Sequence, residues 1–362
     1  MSLTAQPTLS RYVAKVFLSR FVVLFIGIAV VLLALDMLRR SGDVLAADGA
    51  SLASLWRYMA LRLPQILAEL PPFATLLATL ISFAALSQHS EVIIMQVAGM
   101  SAFRILVPMV AVTVVIAILH FLFNETVVVN ANVALDSWRE SGYAVSDAAQ
   151  HPVRSRAWAV EGRDLVQVGA VTRGGTILDK VTLYERNENF DLKAVSTANF
   201  AAYVNGKWTM FDVRRFDVGD HSVNQIPVRS WNTALPPERF LALAVKPTEV
   251  SFLELWKTTS DLIREGQKTS MLIAWLNQKI AGPASSILMP LLGVLAGFGV
   301  LRSGLLFVRV SIGMALGFSF FVVDNLLLAF GKFGTLPPAL AAWTSLVLFL
   351  LIGLSVVVYA EE

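Results

Sequence analysis

Apolar residues along this chain gather into six long runs, three before and three after a stretch of about a hundred residues in which polar and apolar positions alternate. The first run, Phe21 to Leu35, extends through Val16 and Leu38 to the roughly 20 residues needed to cross about 30 Å of hydrocarbon. No small-residue cleavage site follows it, so the pattern predicts a retained span and not a signal peptide. The second run, from about Leu63 to Leu86, passes through Pro64, Pro71 and Pro72, which remove backbone donors and predict a kink. The third, Ile105 to Phe123, is interrupted by His120, and Ile280 to Leu301, Val310 to Phe330 and Leu336 to Ala360 complete the set. Six crossings put both termini on one side of a membrane and the intervening stretch on the other.

That insert, from about Gln150 to Val250, carries 24 of the chain's 55 charged residues, and its apolar positions recur with a period of two. Leu165 to Val168, Val181 to Tyr184 and Thr209 to Val213 are rich in β-branched and aromatic residues, with turn signals at Gly174-Gly175, Asn187 to Asn189, Asn205-Gly206 and Gly219-Asp220. Asn205-Gly206 predicts a type I′ hairpin, because both central residues of that turn need positive φ. The fold class is therefore a membrane protein of six transmembrane helices carrying one all-β domain, a sandwich or jelly roll. Residues 1–148 hold the first three spans, 149–250 the β domain, and 251–362 the last three. Ser251 to Lys268 opens that final part as an amphipathic helix, with Phe252, Leu255, Trp256, Leu262 and Ile263 on one stripe, suited to the bundle or the membrane interface.

Composition agrees with the pattern: 56% apolar residues, 15% charged and a mean hydropathy of +0.66 leave too little polar surface for a soluble protein of 362 residues. A net charge of +3 with dispersed Lys and Arg argues against nucleic acid. The absence of cysteine excludes disulfides and thiolate chemistry. Charge orients the spans weakly. Arg11, Lys15, Arg20, Arg104, Arg302 and Arg309 flank them on the side of the termini, against Arg39, Arg40, Arg57, Arg62 and Lys332 on the insert's side.

No enzyme motif emerges. There is no G-x-x-x-x-G-K-[ST] phosphate cradle, no H-E-x-x-H and no G-x-S-x-G, and His89, His120, His151 and His221 stand at no metal-ligand spacing. His120, near a span's end, reads as a hydrogen-bonded packing residue. Asp324 in the fifth span and Glu69 before Pro71-Pro72 are costly in hydrocarbon, so each is either a structural partner or a cavity-lining group. The break after the second span, Ser87 to Ser101, is either an ordinary inter-span loop or a short helix across the bundle's end. In the helical reading Ser90 caps, Glu91 meets the N-terminal dipole, Ile93, Ile94 and Val97 share a face, and Gly99 terminates. Arg39-Arg40 closes the first span with two guanidiniums, whose forks suit phosphate or carboxylate and which snorkelling to ordinary headgroups explains equally. Gly293-x-x-x-Gly297 and Gly313-x-x-x-Gly317 allow close helix approach.

Tyr12 with Lys15, the segment from Leu35 to Gly42, the block from Ser90 to Gly99, the turn from Leu301 to Arg309 and the segment from Gly317 to Asp324 together resemble the LptF/LptG permease family of the lipopolysaccharide exporter. The resemblance runs the whole chain in order. The Arg302 to Arg309 turn and Met95-Gln96 lie nearer its LptG side.

What the resemblance implies is an ABC-exporter permease with no catalytic residue of its own. It would extract lipopolysaccharide from the bacterial inner membrane, paired with an LptF-like permease, two LptB-like ATPase subunits that hold ATP and magnesium, and an LptC-like single-span protein. It makes the segment of Ser90, Glu91, Ile94 and Gly99 a cytoplasmic coupling helix, at about residues 88–100, and places the β domain in the periplasm. Arg39 and Arg40 match a basic pair that holds lipid phosphates, and Leu33 replaces a further basic residue that family members carry. Acyl chains would enter between the first span of one subunit and the fifth of the other, against Leu70, Phe73, Phe318, Phe320 and Phe321. Two other classes fit the layout of spans and insert: an ion-coupled carrier using Asp324 or Glu69, and a membrane receptor with an external sensory β domain.

Overall fold

A computed structural model of the chain describes residues 7–47, 49–143, 157–172, 175–188, 190–204, 206–233, 235–237, 240, 246–264, 269–294 and 306–361. Gly174, Asn189, Asn205, Gly297 and the Leu301–Ser303 part of the predicted turn lie outside the described residues. The chain divides into two compact units: Met1–Leu135 with Ser251–Trp256 and Thr269–Glu362, and Asp136–Val250 with Lys257–Lys268.

The first unit is helical, and two of its helices, those that contain residues 136–140 and 257–264, continue into the second. Its elements are α1 (Pro7–Leu45), α2 (Leu52–Glu69), α3 (Pro71–Gln88), α4 (Glu91–Val97) and α5 (Ala102–Phe123), the last passing through a π-turn (Asn124–Val128) into α6 (Val129–Glu140). After the sheet come α7 (Phe252–Arg264), α8 (Ser270–Gly293), α9 (Leu306–Phe333) and α10 (Pro338–Glu361). Among the described residues, five helical stretches are long and apolar enough to cross a membrane: Thr8–Leu45, Pro71–Gln88, Ala102–Arg139, Phe307–Phe333 and Pro338–Val358. The sixth expected span, Ile280 to Leu301, is described only through α8, which runs through the polar triplet Asn277-Gln278-Lys279 before its apolar half. The predicted kink at Pro71 is a full break. Leu70 separates two helices, and Pro71 and Pro72 occupy the first turn of α3, where a missing N–H costs nothing.

One apolar core draws on α1, α3, α4, α5, α8, α9 and α10, with Phe17, Phe83, Ile105, Leu106, Met109, Leu292 and Phe320 at its centre. Glycine sets how closely these helices approach. A Cβ at Gly313 would stand 2.7 Å from Leu80 Cδ2, and one at Gly317 only 2.1 Å from Leu76 Cδ2, so both glycines leave room for leucine side chains of α3 to pack against the α9 backbone. Gly293 does the same against Thr79. Gly293 and the Gly313–Gly317 pair therefore serve packing within this chain.

The second unit is built on one antiparallel sheet, a consecutive meander of β1 (Ala157–Glu161), β2 (Asp164–Thr172), β3 (Ile177–Arg186), β4 (Leu192–Val204), β5 (Lys207–Asp217) and β6 (Ser222–Trp231). Where a sandwich or jelly roll was expected, the described strands form this single sheet. A crease crosses it. At Gly169, Lys180, Asn199, Asp212 and Pro227 the ladder skips one residue per strand, yet the register is the same on either side. Lys180 (φ 49°) and Asp212 (φ 52°) are left-handed there, which rotates the strand by one residue's worth of pleat. The buried series accordingly slips phase in step: 178 then 181 and 183 in β3, 198 then 201 in β4, 210 then 213 in β5. One sheet side thus stays the buried one on both sides of the crease in β3, β4 and β5, whereas in β6 only Trp231 is buried. Trp208, Met210, Trp231 and Phe240 pack there, and Trp208 Nε1 donates to the Leu235 carbonyl at 2.9 Å.

The same side also holds charge. Glu185 Oε1 lies 2.6 Å from Arg215 Nη1 and 2.8 Å from Arg229 Nη2, while Arg229 Nη1 donates to the buried Ser196 hydroxyl at 2.8 Å. Burial pushes the Glu185 carboxyl up, but the hydrogen bonds and charges of Arg215 and Arg229 outweigh it and hold it below the usual glutamate range. A depressed folded-state pKa contributes stability that is complete above the unfolded value, about 4.3, and lost as pH falls through the folded one. Glu185→Gln is therefore expected to cost about 1–3 kcal/mol at pH 7, by leaving two guanidiniums unpaired, and to cost less in acid. Thermal unfolding of the full chain at pH 7 and pH 3.5 checks this; equal losses at both would contradict it.

In α7 the buried line is Leu255, Thr259 and Leu262, whereas Leu253, Trp256 and Ile263 are exposed. The stripe expected from sequence thus splits in two: Leu255 and Leu262 turn inward, and Trp256 and Ile263 turn outward.

Candidate functional site

The short segment after α3 is helical. His89 and Ser90 reverse the chain, Ser90 in the left-handed region (φ 59°), and α4 follows. The Ser90 hydroxyl makes no capping bond, contrary to the sequence expectation, because the left-handed turn replaces the extended backbone from which an N-cap side chain reaches back. Gly99 (φ 85°) ends the helix as expected: its amide donates to Gln96 O at 2.9 Å and the Met100 amide to Met95 O at 3.0 Å, a Schellman closure. Val92 and Met95 point into the bundle core beside Val13, Phe17 and Leu86. Glu91 Oε1 accepts a hydrogen bond from the Tyr12 hydroxyl of α1 at 3.2 Å. On the other face Ile94 is 63% and Val97 84% exposed, with Ile93 beside them. The element is a small helix anchored through one face to two spans, presenting an apolar knob through the other.

At the far end of α1, Arg39 and Arg40 are both exposed. Arg40 Nη1 lies 3.4 Å from Asp43 Oδ2, an exposed i,i+3 pair that binds weakly and leaves the guanidinium available. Asp36 does not neutralise them. Its carboxylate is taken by Arg62 of α2 at 3.2 Å and by the Tyr58 hydroxyl at 2.7 Å. In sequence Arg62 stands out only as a flanking charge and Tyr58 not at all; an aspartate at a span's end with Tyr and Arg four residues apart on the next helix is the available signal.

The apolar set divides. Phe73 of α3 stacks on Phe321 of α9 with ring centroids 3.7 Å apart, both partly accessible, and Phe318 is 63% exposed one turn earlier. Phe320, by contrast, is 2% exposed, edge-on to Phe321 and Phe349. Leu70 is buried with Ala29 and Ile66. In this conformation Phe73, Phe318 and Phe321 form surface, Phe320 supports Phe321 from behind, and Leu70 is buried in a separate cluster with α1.

Asp324 has partners on two neighbouring helices: the Ser345 hydroxyl of α10 at 2.5 Å and the Gln278 carboxamide of α8 at 3.3 Å. Next to it on α8, Asn277 accepts from Trp343 Nε1 at 3.0 Å and Lys279 pairs with Glu125 of the π-turn at 2.9 Å, both ends largely shielded. Glu125 also accepts the Phe252 amide. These groups form a polar layer tying five elements together, so Asp324 is held as a structural partner in this conformation. The Glu125–Lys279 pair, 154 residues apart, carried no local sequence signal. His120 is buried, 8% exposed, which fits the packing role expected of it, although its Nδ1 has no hydrogen-bond partner among the described residues. Glu69 closes α2. No group of His, Cys, Asp or Glu among the described residues is arranged to hold a metal ion.

A family model described as lipopolysaccharide export system permease LptF/LptG matches residues 11–359 of this chain. The chain belongs to the LptF/LptG family. Among its relatives, the lipopolysaccharide export system permease protein LptG of Haemophilus influenzae is 27% identical over 351 residues, covering 92% of this chain and 95% of the relative. The LptG of Escherichia coli K12 is 25% identical over 355 residues, 96% of each. The chain is thus an LptG-type permease. The match takes in Arg39-Arg40, α4 and the creased sheet alike, so the β insert is a shared part of the LptF/LptG architecture and no local addition.

Proposed function

We propose that this chain is the transmembrane permease subunit of an ATP-driven exporter that extracts lipopolysaccharide from the inner membrane and hands it to a periplasmic bridge of β modules. The observation that carries this reading is α4: a helix seated by Val92 and Met95 in the bundle's apolar core and tied to α1 through Glu91 and Tyr12, with Ile94 and Val97 turned outward. Such a knob fits an apolar groove on another polypeptide, and its rigid footing transmits a push on the knob to the spans. The chain carries no nucleotide cradle, so the ATPase, with its ATP and magnesium, belongs to a partner pair of LptB type on the cytoplasmic side. An LptF-like permease and an LptC-like single span complete the assembly, with the sheet in the periplasm. Its outer strands among the described residues, β1 and β6, offer edges for strand addition.

The cargo's chemistry fits the same reading. Two exposed guanidiniums, Arg39 and Arg40, suit lipid phosphates bidentately. Phe73, Phe318 and Phe321 offer aromatic surface to acyl chains. Burying an acyl chain is worth about 0.8 kcal/mol per CH₂, so roughly a dozen methylenes resist extraction by about 10 kcal/mol, far above thermal energy. Replacing Arg39 and Arg40 together by Ala is expected to lower photocrosslinking to lipopolysaccharide several-fold while basal ATP hydrolysis by the complex persists. Unchanged crosslinking would remove the phosphate-holding role.

A further inference from the structure

Arg20 stands immediately before the apolar run Phe21–Leu35 of α1, at the level where that span leaves hydrocarbon. Its Nη1 is buried and has no hydrogen-bond partner among the described residues. It borders an open groove of about 250 Å³ lined by Ser19, Arg20, Val23 and Leu24 of α1 and Ile81 of α3. The Ser19 hydroxyl is already committed to the Val16 carbonyl at 3.0 Å, which leaves the guanidinium as the groove's donor. Beyond the groove, Val23, Ile26 and Val30 are exposed at helical spacing, and Ile81 is exposed on α3.

A shielded guanidinium nitrogen without an acceptor is costly, because buried donors are nearly always paired. A snorkelling arginine extends its tip to bulk water; here one end nitrogen is shielded and the side chain lines the groove instead. The shape asks for an anion continuous with an apolar tail. We propose that this groove binds one anionic phospholipid, its headgroup phosphate on Arg20 and its acyl chain along Val23, Ile26, Val30 and Ile81. The site lies about 28 Å along α1 from Arg39, at 1.5 Å per residue, and is separate from the pair assigned to the exported cargo. The inference needs only that α1 crosses a membrane, so it stands or falls independently of the transport reading.

Native mass spectrometry of the full chain in detergent, titrated with phosphatidylglycerol and in parallel with phosphatidylcholine, tests it. The expected result is one retained phosphatidylglycerol with affinity at least about tenfold above phosphatidylcholine, reduced to the phosphatidylcholine level in Arg20→Leu, partly kept in Arg20→Lys and unaffected in Arg11→Leu. Equal retention of both lipids, or unchanged retention in Arg20→Leu, would overturn the proposal. Displacement by millimolar inorganic phosphate would overturn the lipid as source in favour of a free anion. A photoreactive residue at Val23, activated in native membranes, should capture lipid; capture of protein alone would make this groove a subunit contact and also overturn it. If Arg20→Leu does not fold, the comparison of the two lipids on the unaltered chain and the Val23 capture still decide.

Discussion

A chain carrying Ile94→Asp and Val97→Asp is expected to insert and fold normally yet to support no lipopolysaccharide release, because both side chains lie on the outward face of α4 and contribute nothing to the bundle core. Docking that knob into an apolar groove would bury two carboxylates without partners. Central interface positions of this kind are worth about 2 kcal/mol or more each, so affinity for the ATPase should fall by roughly 30-fold or more per site. Copurification of the ATPase and ATP-dependent release from proteoliposomes measure the two halves of the effect. Retained copurification with full release would remove α4 from the coupling path. Glu91→Lys should uncouple more subtly: it loses the acceptor for Tyr12 and reverses the charge at the helix N-terminus, while Val92 and Met95 still anchor the helix.

Gly317→Val should be a damaging small change in the bundle. A Cβ there would sit 2.1 Å from Leu76 Cδ2, and Leu76 is itself packed in the core, so Leu76 must leave its rotamer among packed neighbours or α9 must shift away from α3. Overpacking of this kind costs about 1–3 kcal/mol, partly offset by the poor helix propensity of the glycine it removes. The midpoint of thermal unfolding in detergent should drop by several degrees, and Leu76→Ala in the same chain should restore part of it, since the two changes share one contact. Additive losses in the double variant would place the clash elsewhere.

The elements that sequence exposes well are those whose signal is local. Apolar runs longer than a bilayer's thickness mark the spans, and Gly99 closes α4 because positive φ at a helix C-terminus is what glycine supplies. Arg39 and Arg40 are legible by residue type and place. Less legible is whatever depends on a distant partner. The prolines that predict a kink in one span end α2 and begin α3, because Pro71 and Pro72 favour a helix's first turn over its interior. The crease in the sheet is hidden because Lys180 and Asp212, non-glycine residues, hold positive φ in mid-strand, so the period-two pattern slips without any turn residue announcing it. Asp36 with Arg62, and Glu125 with Lys279, become pairs only once the helices are assembled. The aromatic set shows the same limit: periodicity placed Phe318, Phe320 and Phe321 on one helix, but contacts decide that Phe320 faces the core.

A photoreactive amino acid at Val97, activated in intact cells, tests the central claim most directly, because the account routes force from nucleotide turnover in another polypeptide through the outward face of α4. The predicted result is a covalent adduct with a cytoplasmic nucleotide-binding subunit, lost when Ile94 is replaced by Asp. An adduct with periplasmic protein, or with lipid alone, would contradict it.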